Sequence, residues 1–313
     1  MLALRPLFCC IAIVLSSTSA LAQYNRAAGQ NAPVERIREE VTRDDGSREV
    51  REVVRPAQRD SWGNAKGNQN DLAVDGAFEG QTVAVLQFYT QGFDFSLPKA
   101  ALKEKGFSVY RWVNSAPEPK KLRKGLQKAC QLWIISDSTQ HLTPEHVKVI
   151  KEFFDAGHGV YIWGDNAPYY ADANVVGKAL LGTSMVGDVM GDQTVGLRKD
   201  GAGPGLLRRH LLTTGLEYLY EGITIATIQP SPQLTPLLHG SAGNLVAAFY
   251  DNGGKRAIFD GGFTRLYNKW DTAGTARYVK NAAAWLSNVE RFGDAVVRAD
   301  LRDPPAQEPA PKP

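Results

Sequence analysis

The sequence predicts an α/β fold in which a parallel sheet is flanked by helices and extended by antiparallel strands toward the C-terminus. The chain has 313 residues, of which 43% are hydrophobic, and this is enough to bury one large core. Apolar runs that suit buried strands alternate with amphipathic helical stretches over residues 82–163. Later apolar runs are joined by short turns, and that pattern is typical of antiparallel pairing.

Four strands and three helices are expected in the first half of the domain. The first apolar run, TVAVLQFY, is continuous, as in a strand that is covered on both faces. Thr143 stands at an N-cap position, Pro144 follows it, and His146 occupies the place of a capping-box glutamate. Repeated strand–helix–strand units imply parallel strands. The expected strands are 82–89, 107–113, 132–136 and 159–163, and the expected helices are 97–105, 119–129 and one that begins after Thr143 and ends at Gly157.

The second half of the domain has weaker patterns. Residues 182–205 are rich in glycine and show no clear periodicity, so they are interpreted as a long excursion. The turn Asp251-Asn252-Gly253-Gly254 predicts that the two strands beside it are antiparallel. A final amphipathic helix is expected over residues 275–289. The short strands expected here are 223–228, 234–238, 245–250 and 256–259.

The first 22 residues have the pattern of a cleavable secretory signal. Arg5 supplies a positive charge, residues 7–15 form an apolar core, and Ala20-Leu21-Ala22 is a cleavage site. Nine apolar residues are too few to cross a hydrocarbon layer about 30 Å thick, and no later segment approaches about 20 uninterrupted apolar residues. The mature protein is therefore expected to be secreted or periplasmic, with no integral membrane segment after signal removal.

The remaining chain is divided into three parts. Residues 23–70 are expected to be a mobile charged arm or an isolated hairpin, followed by a linker over residues 61–70, because residues 35–60 carry fifteen charges around a turn sequence, DDGS. Residues 71–292 form the α/β domain, and residues 293–313 are an extended proline-rich tail. Two of the three cysteines lie in the signal segment, which leaves Cys130 without a disulfide partner inside the chain.

Composition and motifs argue against several function classes. The chain has 36 basic and 33 acidic residues, a net charge of +3, which does not indicate the strongly basic face of a nucleic-acid binder. Neither G-x-G-x-x-G nor a Walker A sequence is present, and the five histidines lack metal-binding spacing, so no cofactor is expected. Four oxygen-bearing side chains would suit Ca²⁺ or Mg²⁺ but lack EF-hand spacing, so no metal is assigned. They are Asp165, Asn166, Asp172 and Asn174.

Candidate site residues follow the expected strands, because ligands bind beyond the carboxyl ends of the strands in an open parallel sheet. We name this edge the carboxyl rim. At its sharpest corner Gly164 leads to Asp165 and Asn166, which are expected to cap the next helix and to bind a ligand. Arg265 is expected either to pair with an anionic ligand or to form an internal salt bridge with Asp165 or Asp260. No residue is assigned a catalytic role, and the candidate ligand-binding residues are Asp165, Asn166, Tyr169, Tyr170, Asp260 and Arg265.

Several segments between about residues 81 and 286 also carry a family resemblance: VAVLQFY, LWIISDS, TPEHVKVIKEFFDAG, GVYIWGDN and LVAAFYDNGGKRAIFDGGF. In the order of these strand and helix segments, the sequence resembles the class I glutamine amidotransferase-like superfamily, and most closely its ThuA-like and related uncharacterised branches. The resemblance implies a flavodoxin-like sheet. Catalytic members carry a cysteine at the elbow after the fourth strand, followed later by a histidine and an acidic partner.

The residues of this chain depart from that catalytic pattern. The elbow falls at Asp165 or Asn166, and no histidine follows the turn Asp260-Gly261-Gly262. The resemblance therefore implies an amidotransferase site that has been lost or rebuilt, and a binding or scaffolding role.

The expected function is that of an exported, non-enzymatic α/β domain that binds a small ligand or an exported protein at the carboxyl rim. The alternative is a hydrolase in which Asp165 and Asp260 act as base and orienter on bound water, with or without a divalent metal. The binding domain and the hydrolase are distinguished by geometry. A hydrolase needs these two carboxylates close together in a deep pocket, and the pKa of at least one of them must be strongly perturbed. A third possibility is that the charged arm and the tail carry the function, with the domain as a spacer.

Overall fold

The computed structural model describes residues 24–199, 203–270 and 273–293 of the chain. The signal segment expected at residues 1–22 lies outside the described residues, as does the proline-rich tail from residue 294 onward. In the part of the chain that is described, no helix is long and apolar enough to cross a membrane.

The charged N-terminal region forms a β-hairpin. Strand β1 (Val34–Thr42) pairs antiparallel with strand β2 (Arg48–Pro56) over the whole length of both. Gly46, in the turn, has a φ of 79°, which glycine adopts freely. Asp45 accepts hydrogen bonds from the backbone N–H and the hydroxyl of Ser47, and these bonds hold the turn. Of the two expected forms of this region, the structure shows the hairpin.

The residues on both sides of the hairpin pack on the domain. The amide of Asn31 donates a hydrogen bond to the carbonyl oxygen of Thr213 at 3.0 Å. Asn64 is fully buried, and its side-chain oxygen accepts from the backbone N–H of Glu217 at 2.7 Å. Residues 61–70, expected to be a linker, therefore include a side chain that is built into the domain.

The domain continues through alternating strands and helices whose ends, in the first half, differ from the expected ones by at most three residues. The elements are β3 (Thr82–Gln87), α1 (Ser96–Glu104), β4 (Ser108–Val113), α2 (Pro119–Leu126), β5 (Gln131–Ile135), α3 (Pro144–Asp155), β6 (Gly159–Trp163), α4 (Ala171–Leu181), β7 (Met185–Met190), β8 (Thr194–Gly196), β9 (Gly205–Leu206), β10 (Tyr218–Tyr220), β11 (Thr224–Ile228), β12 (Thr235–His239), β13 (Leu245–Asn252), β14 (Lys255–Asp260), α5 (Thr275–Leu286) and α6 (Val289–Phe292).

The central sheet has eight strands in the order β4-β3-β5-β6-β14-β13-β12-β9, counted over the described residues. The first five strands are parallel to one another, and the last three continue the sheet in antiparallel pairs. Strand β14, late in the chain, lies beside β6 at the centre of the sheet. This arrangement confirms the predicted α/β fold with an antiparallel extension.

Both faces of the sheet are covered by helices. Val83, Trp133 and Tyr161 belong to the core that contains α1 and α5, whereas Ile134 and Phe259 belong to the core that contains α2, α3 and α4. Successive residues of a strand point to opposite faces, so one continuous apolar strand contributes to both cores. This explains why the strands are apolar runs rather than alternating ones.

Helix α3 begins as the sequence predicts. The backbone N–H of Thr143 donates to Nδ1 of His146 at 3.1 Å, and the Thr143 side chain completes the capping box. Nε2 of His146 donates to the carbonyl oxygen of Pro117 at 2.6 Å. His146 therefore replaces the usual glutamate and also ties α3 to the preceding loop.

The glycine-rich excursion contains regular structure that the sequence pattern did not reveal. Strand β7 pairs with β11, β8 pairs with β10, and β9 joins the far edge of the main sheet. Strands this short show no periodicity, and their partners lie far along the chain. The final helix is also shorter than expected, because α5 ends at Leu286 and Asn288, with a φ of 53°, separates it from α6.

Candidate functional site

The carboxyl ends of β3, β5, β6 and β14 lie side by side. In successive parallel pairs, Gln87 is opposite Ile135, Ile135 is opposite Trp163, and Trp163 is opposite Asp260. The turns that follow these strands therefore meet at the carboxyl rim, as the sequence predicts. The rim includes both carboxylates that the sequence singled out, Asp260 and the nearby Asp165.

A glycine makes the sharp corner after β6. A Cβ atom on Gly164 would lie 2.5 Å from Sδ of Met185, so a larger residue would displace that side chain. The N–H of Gly164 donates to the carbonyl oxygen of Asp260 at 2.9 Å, and the N–H of Asp165 donates to the carbonyl oxygen of Tyr169 at 3.1 Å. The corner is thus fixed to the neighbouring strand on one side and closed as a turn on the other.

Asp260 is held by four hydrogen-bond donors inside the protein. Its Oδ2 accepts from Nη1 of Arg265 at 2.7 Å and from the hydroxyls of Tyr278 at 2.9 Å and Tyr161 at 3.2 Å. Its Oδ1 accepts from the backbone N–H of Gly262 at 3.0 Å. The Asp260 and Arg265 side chains are fully buried. Asp260 is therefore an internal counter-ion that ligands cannot reach.

Arg265 is enclosed by the same network. Its Nη2 donates to the carbonyl oxygen of Glu221 at 2.8 Å, and its guanidinium lies over the rings of Tyr278 and Trp163 at 5.5 and 5.8 Å. Of the roles expected for Arg265, the structure shows the internal salt bridge, and the partner is Asp260. The sequence could not indicate Tyr161 and Tyr278 as its neighbours, because nothing in it pairs β6 with β14 or places α5 over them.

Asp165 lies beside this network and is not part of it. The residue is 5% exposed, and its Oδ1 has no hydrogen-bond partner among the described residues. Burial raises the pKa of Asp165 well above its usual range; a backbone hydrogen bond from Asn166 and the charge of Arg265 oppose this shift without cancelling it. Asp165 is therefore a buried carboxyl group with too few donors to stabilise its charge.

Asn166 connects the carboxyl rim to the two-stranded sheet of β7 and β11. Its Oδ1 accepts from the hydroxyl of Thr224, at the start of β11, at 2.9 Å, and its amide donates to the carbonyl oxygen of Ala167 at 3.0 Å. The side chain is half-buried. Both polar atoms of Asn166 are therefore engaged within the protein.

Three half-buried tyrosines, Tyr89, Tyr169 and Tyr267, cover the rim near Asp165, and we name them the rim tyrosines. The rings of Tyr89 and Tyr169 meet edge to face with centroids 5.6 Å apart. The hydroxyls of Tyr89 and Tyr267 are 3.3 Å apart. Burial raises the pKa of Tyr267, and the Tyr89 hydroxyl and the charge of Asp165 raise it further. Phe263, packed against Tyr89 and Tyr267, supports this cluster from below.

Tyr170 belongs to the opposite layer of the domain. It packs on the core that contains α2, α3 and α4, whereas Tyr89 and Tyr267 pack on the core of α1 and α5. The structure therefore brings Tyr169, but not Tyr170, into the aromatic cluster. Tyr267 was not among the predicted site residues, although it follows Arg265 by only two positions.

The prediction that Asp165 and Asn166 cap the next helix is wrong. Helix α4 begins later, and the backbone N–H groups of Asp172 and Ala173 donate to Oγ of Ser136 at 3.0 and 3.1 Å. The cap comes from the end of the neighbouring strand β5, so no local pattern around residue 165 could reveal it.

The other oxygen-bearing side chains of this region also have structural partners. Asp172 accepts from the backbone N–H groups of His141 at 2.9 Å and Leu142 at 2.8 Å. The side chain of Asn174 bonds both backbone groups of Met185, at 2.6 and 2.9 Å. Across residues 24–199, 203–270 and 273–293, no group of three or more His, Cys, Asp and Glu side chains is arranged to hold a metal ion.

Cys130 lies just before β5, at the edge of the sheet opposite the carboxyl rim. Its thiol is buried 3.3 Å from the carbonyl oxygen of Thr82, and burial raises its pKa to about 12. A surface hollow between α2 and α3, lined by residues such as Leu126 and Val149, is also away from the rim. Neither feature supplies a nucleophile or a cleft at the corner after β6.

No family model matches the chain, and no curated protein matches it. Solved structures that are similar to it include a ThuA-like protein from Parabacteroides merdae, with 12% identity and a TM-score of 0.44 over 71% of this chain and 95% of that one. A GMP synthase-like protein from Thermoplasma acidophilum has 10% identity and a TM-score of 0.40 over 67% of this chain and 96% of that one.

A third similar structure is the exo-beta-1,4-mannosidase Op5Man5 from Opitutaceae bacterium strain TAV5. It has 13% identity and a TM-score of 0.38 over 67% of this chain and 36% of that one. These likenesses are distant, and the α/β class of the protein rests on its own strand order.

Proposed function

We propose that this chain is an exported, non-enzymatic α/β domain that binds a small ligand or a protein partner at the carboxyl rim. The supporting observation is the contrast between its two carboxylates. Asp260 is saturated by internal donors, whereas Asp165 is buried with an unpartnered oxygen beside the rim tyrosines. A ligand that brings an N–H or O–H donor to Asp165 would supply the hydrogen bond that this oxygen lacks, and a buried polar atom without a partner is costly.

The rim tyrosines supply the second part of a binding surface. Tyr89, Tyr169 and Tyr267 are half-buried, so each residue keeps part of its surface accessible to solvent. Tyrosine offers a large, rigid contact area at a low cost in side-chain entropy, and it is enriched in the cores of interfaces. The expected ligand has an apolar face that contacts these rings and donors at its edge that reach Asp165.

The serine at the rim has structural partners rather than catalytic ones. Oγ of Ser136 accepts from two backbone N–H groups of α4 and donates to the carbonyl oxygen of Asp137 at 3.3 Å. The ring of His141, also after β5, stacks on Phe88 with centroids 4.5 Å apart. These contacts favour a binding role over nucleophilic catalysis, which needs a base hydrogen-bonded to its nucleophile.

The alternative function, a hydrolase that uses Asp165 and Asp260 on bound water, has one observation in its favour. Burial raises the pKa of Asp165, and perturbed carboxyl groups of this kind are frequent among catalytic acids and bases. Asp260, however, would have to leave a fully buried ion pair with Arg265 before it could orient water. Breaking such a pair costs about 3–5 kcal/mol, which makes Asp260 a poor second residue for this reaction.

The test is a thermal-shift screen of the purified protein against sugars, cell-wall fragments and divalent metals. A compound that binds only the folded state raises the melting temperature. We expect the shift to be lost in Asp165→Asn and Tyr169→Ala and kept in the matched control Tyr170→Ala, each read against its own melting temperature. A shift that survives in both rim variants would contradict binding at the rim, and turnover of the compound would favour the hydrolase.

A further inference from the structure

The β-hairpin at the N-terminus of the described chain is a sheet with two open edges. Both strands are nine residues long, and neither packs extensively on another helix or strand of the described residues. Val34, Val50 and Val54 are 52%, 70% and 55% exposed. An isolated two-stranded hairpin is marginally stable in water, and a long open edge is a template for pairing with another strand.

The hydrogen bonds of the hairpin show which residues face the open edges. The N–H of Arg43 donates to the carbonyl oxygen of Ser47 at 2.8 Å, so this pair turns its backbone groups inward. Inward and outward pairs alternate in an antiparallel ladder. On the outer edge of β2, the N–H and C=O groups of Arg48, Val50 and Glu52 therefore point away from β1.

From this edge we infer that two copies of the chain associate by antiparallel pairing of β2 with β2, related by a two-fold axis at Val50. In that register Val50 faces Val50 of the second copy. Arg48 faces Glu52 and Glu49 faces Arg51, and the symmetry repeats each contact. Four opposite-charge pairs and one apolar pair thus form. Within the single chain Arg48 pairs with Glu40 and Glu52 with Arg36 across the hairpin, yet the Arg48 and Glu52 side chains stay more than half exposed and accessible to a second copy. The occupant that this edge fits best is a second copy of itself.

The other edge of the hairpin does not have this complementarity. A two-fold axis at Arg36, Arg38 or Glu40, the outward residues near the middle of β1, places like charges directly opposite each other, and an axis at the inward Glu39 places Glu39 opposite itself. Pairing of β1 with β2 of another copy would leave one edge open at each end and continue as a filament. Pairing of β2 with β2 closes after two copies and makes a four-stranded sheet, which has the strand number that independent stability requires.

The inference is tested with two charge-reversal variants of the full chain, Arg48→Glu and Glu52→Arg. Each variant alone places like charges opposite each other twice, and we expect its dimer dissociation constant, measured by sedimentation, to rise about tenfold or more. An equimolar mixture restores both opposite-charge contacts, and it is expected to regain the affinity of the unmodified chain. A general loss of hairpin folding could not be rescued by mixing.

A matched proline pair tests the backbone contacts. Val50→Pro removes an outward N–H of β2 and leaves the bonds to β1 intact, whereas Glu40→Pro removes the outward N–H of the residue directly opposite on β1. We expect dimers to be lost with Val50→Pro and kept with Glu40→Pro. A chain that is monomeric at all concentrations, a mixture that fails to associate, or equal effects of the two prolines would overturn the inference.

Discussion

Asp165 and Asp260 lie at the ends of neighbouring strands, but they differ in the number of hydrogen-bond donors that the protein provides for them. Asp260 accepts hydrogen bonds from an arginine, two tyrosines and a backbone N–H, all inside the fold. Asp165 is nearly as deeply buried, yet one of its oxygens has no partner among the described residues. The same residue type at the same edge of one sheet is therefore a structural counter-ion in one place and an unsatisfied group in the other.

The difference shows that burial of a carboxylate does not by itself indicate a site. A buried charge that is paired and hydrogen-bonded belongs to the structure, whereas one that lacks donors reduces the stability of the folded state. Such a cost is typical of positions that serve binding, where a ligand supplies the missing donor. On this basis we propose that a ligand binds at the corner around Asp165 rather than at Asp260.

The largest expected effect is the loss of the buried ion pair in Asp260→Asn. The change leaves the charge of Arg265 buried without a counter-ion, and this is expected to lower the free energy of unfolding by about 3–5 kcal/mol. Urea unfolding followed by circular dichroism measures it. The exposed aspartate of the hairpin turn, Asp44→Asn, is the control and is expected to change stability by less than about 0.5 kcal/mol. Equal stability of the two variants would mean that Asp260 does not hold the rim together.

The opposite sign is expected for Asp165→Asn. Because the pKa of Asp165 is raised in the folded state, the folded protein binds this proton more tightly than the unfolded chain does. Stability from this group is complete below the ordinary pKa of about 3.9 and is lost as the pH rises through the raised pKa. The variant should therefore match the unmodified protein near pH 4 and exceed it by about 1–3 kcal/mol at pH 8.

Urea unfolding at a series of pH values measures this difference, with Asp44→Asn again as the control. A variant that is less stable than the unmodified protein at pH 8 would show that Asp165 has internal donors. The contrast with Asp260 would then disappear.

Much of this contrast lies beyond what the sequence can predict. The strand ends that carry Asp165 and Asp260 follow apolar runs and glycine corners, and these local signals were enough to place both at one rim. Two of the four donors around Asp260, the hydroxyls of Tyr161 and Tyr278, come from β6 and α5, which are 99 and 18 residues away in the chain. Which strands become neighbours depends on the packing of the whole sheet, and no local pattern records it.

Dependence on a contact between distant residues also explains why the prediction that Asp165 and Asn166 cap α4 was wrong. Ser136 caps α4 from the end of another strand, a contact over more than 30 residues. Ser136→Ala is expected to lower the free energy of unfolding by about 1 kcal/mol, the usual value of a lost N-cap. Ser138→Ala, a change of an exposed serine in the same turn, is the control for urea unfolding. Equal effects of the two substitutions would show that the hydroxyl of Ser136 does not stabilise α4.

The smallest expected effect on stability is that of Tyr267→Phe. The change removes only the hydroxyl that lies 3.3 Å from the hydroxyl of Tyr89, at a half-buried position. A single hydrogen bond of this kind contributes about 1 kcal/mol or less to stability. Thermal unfolding is therefore expected to change little, while binding of any compound found in the thermal-shift screen weakens. A loss of stability as large as that of Asp260→Asn would place Tyr267 in the structural part of the rim.

The most direct measurement of the central claim is an NMR titration of the Asp165 carboxyl carbon, assigned by comparison with Asp165→Asn. A carboxyl group that is buried without sufficient donors titrates well above the usual range of aspartate, and that is the result we predict. A midpoint at or below the usual value would contradict the account, because it would show that Asp165 is as well supplied with donors as a structural counter-ion.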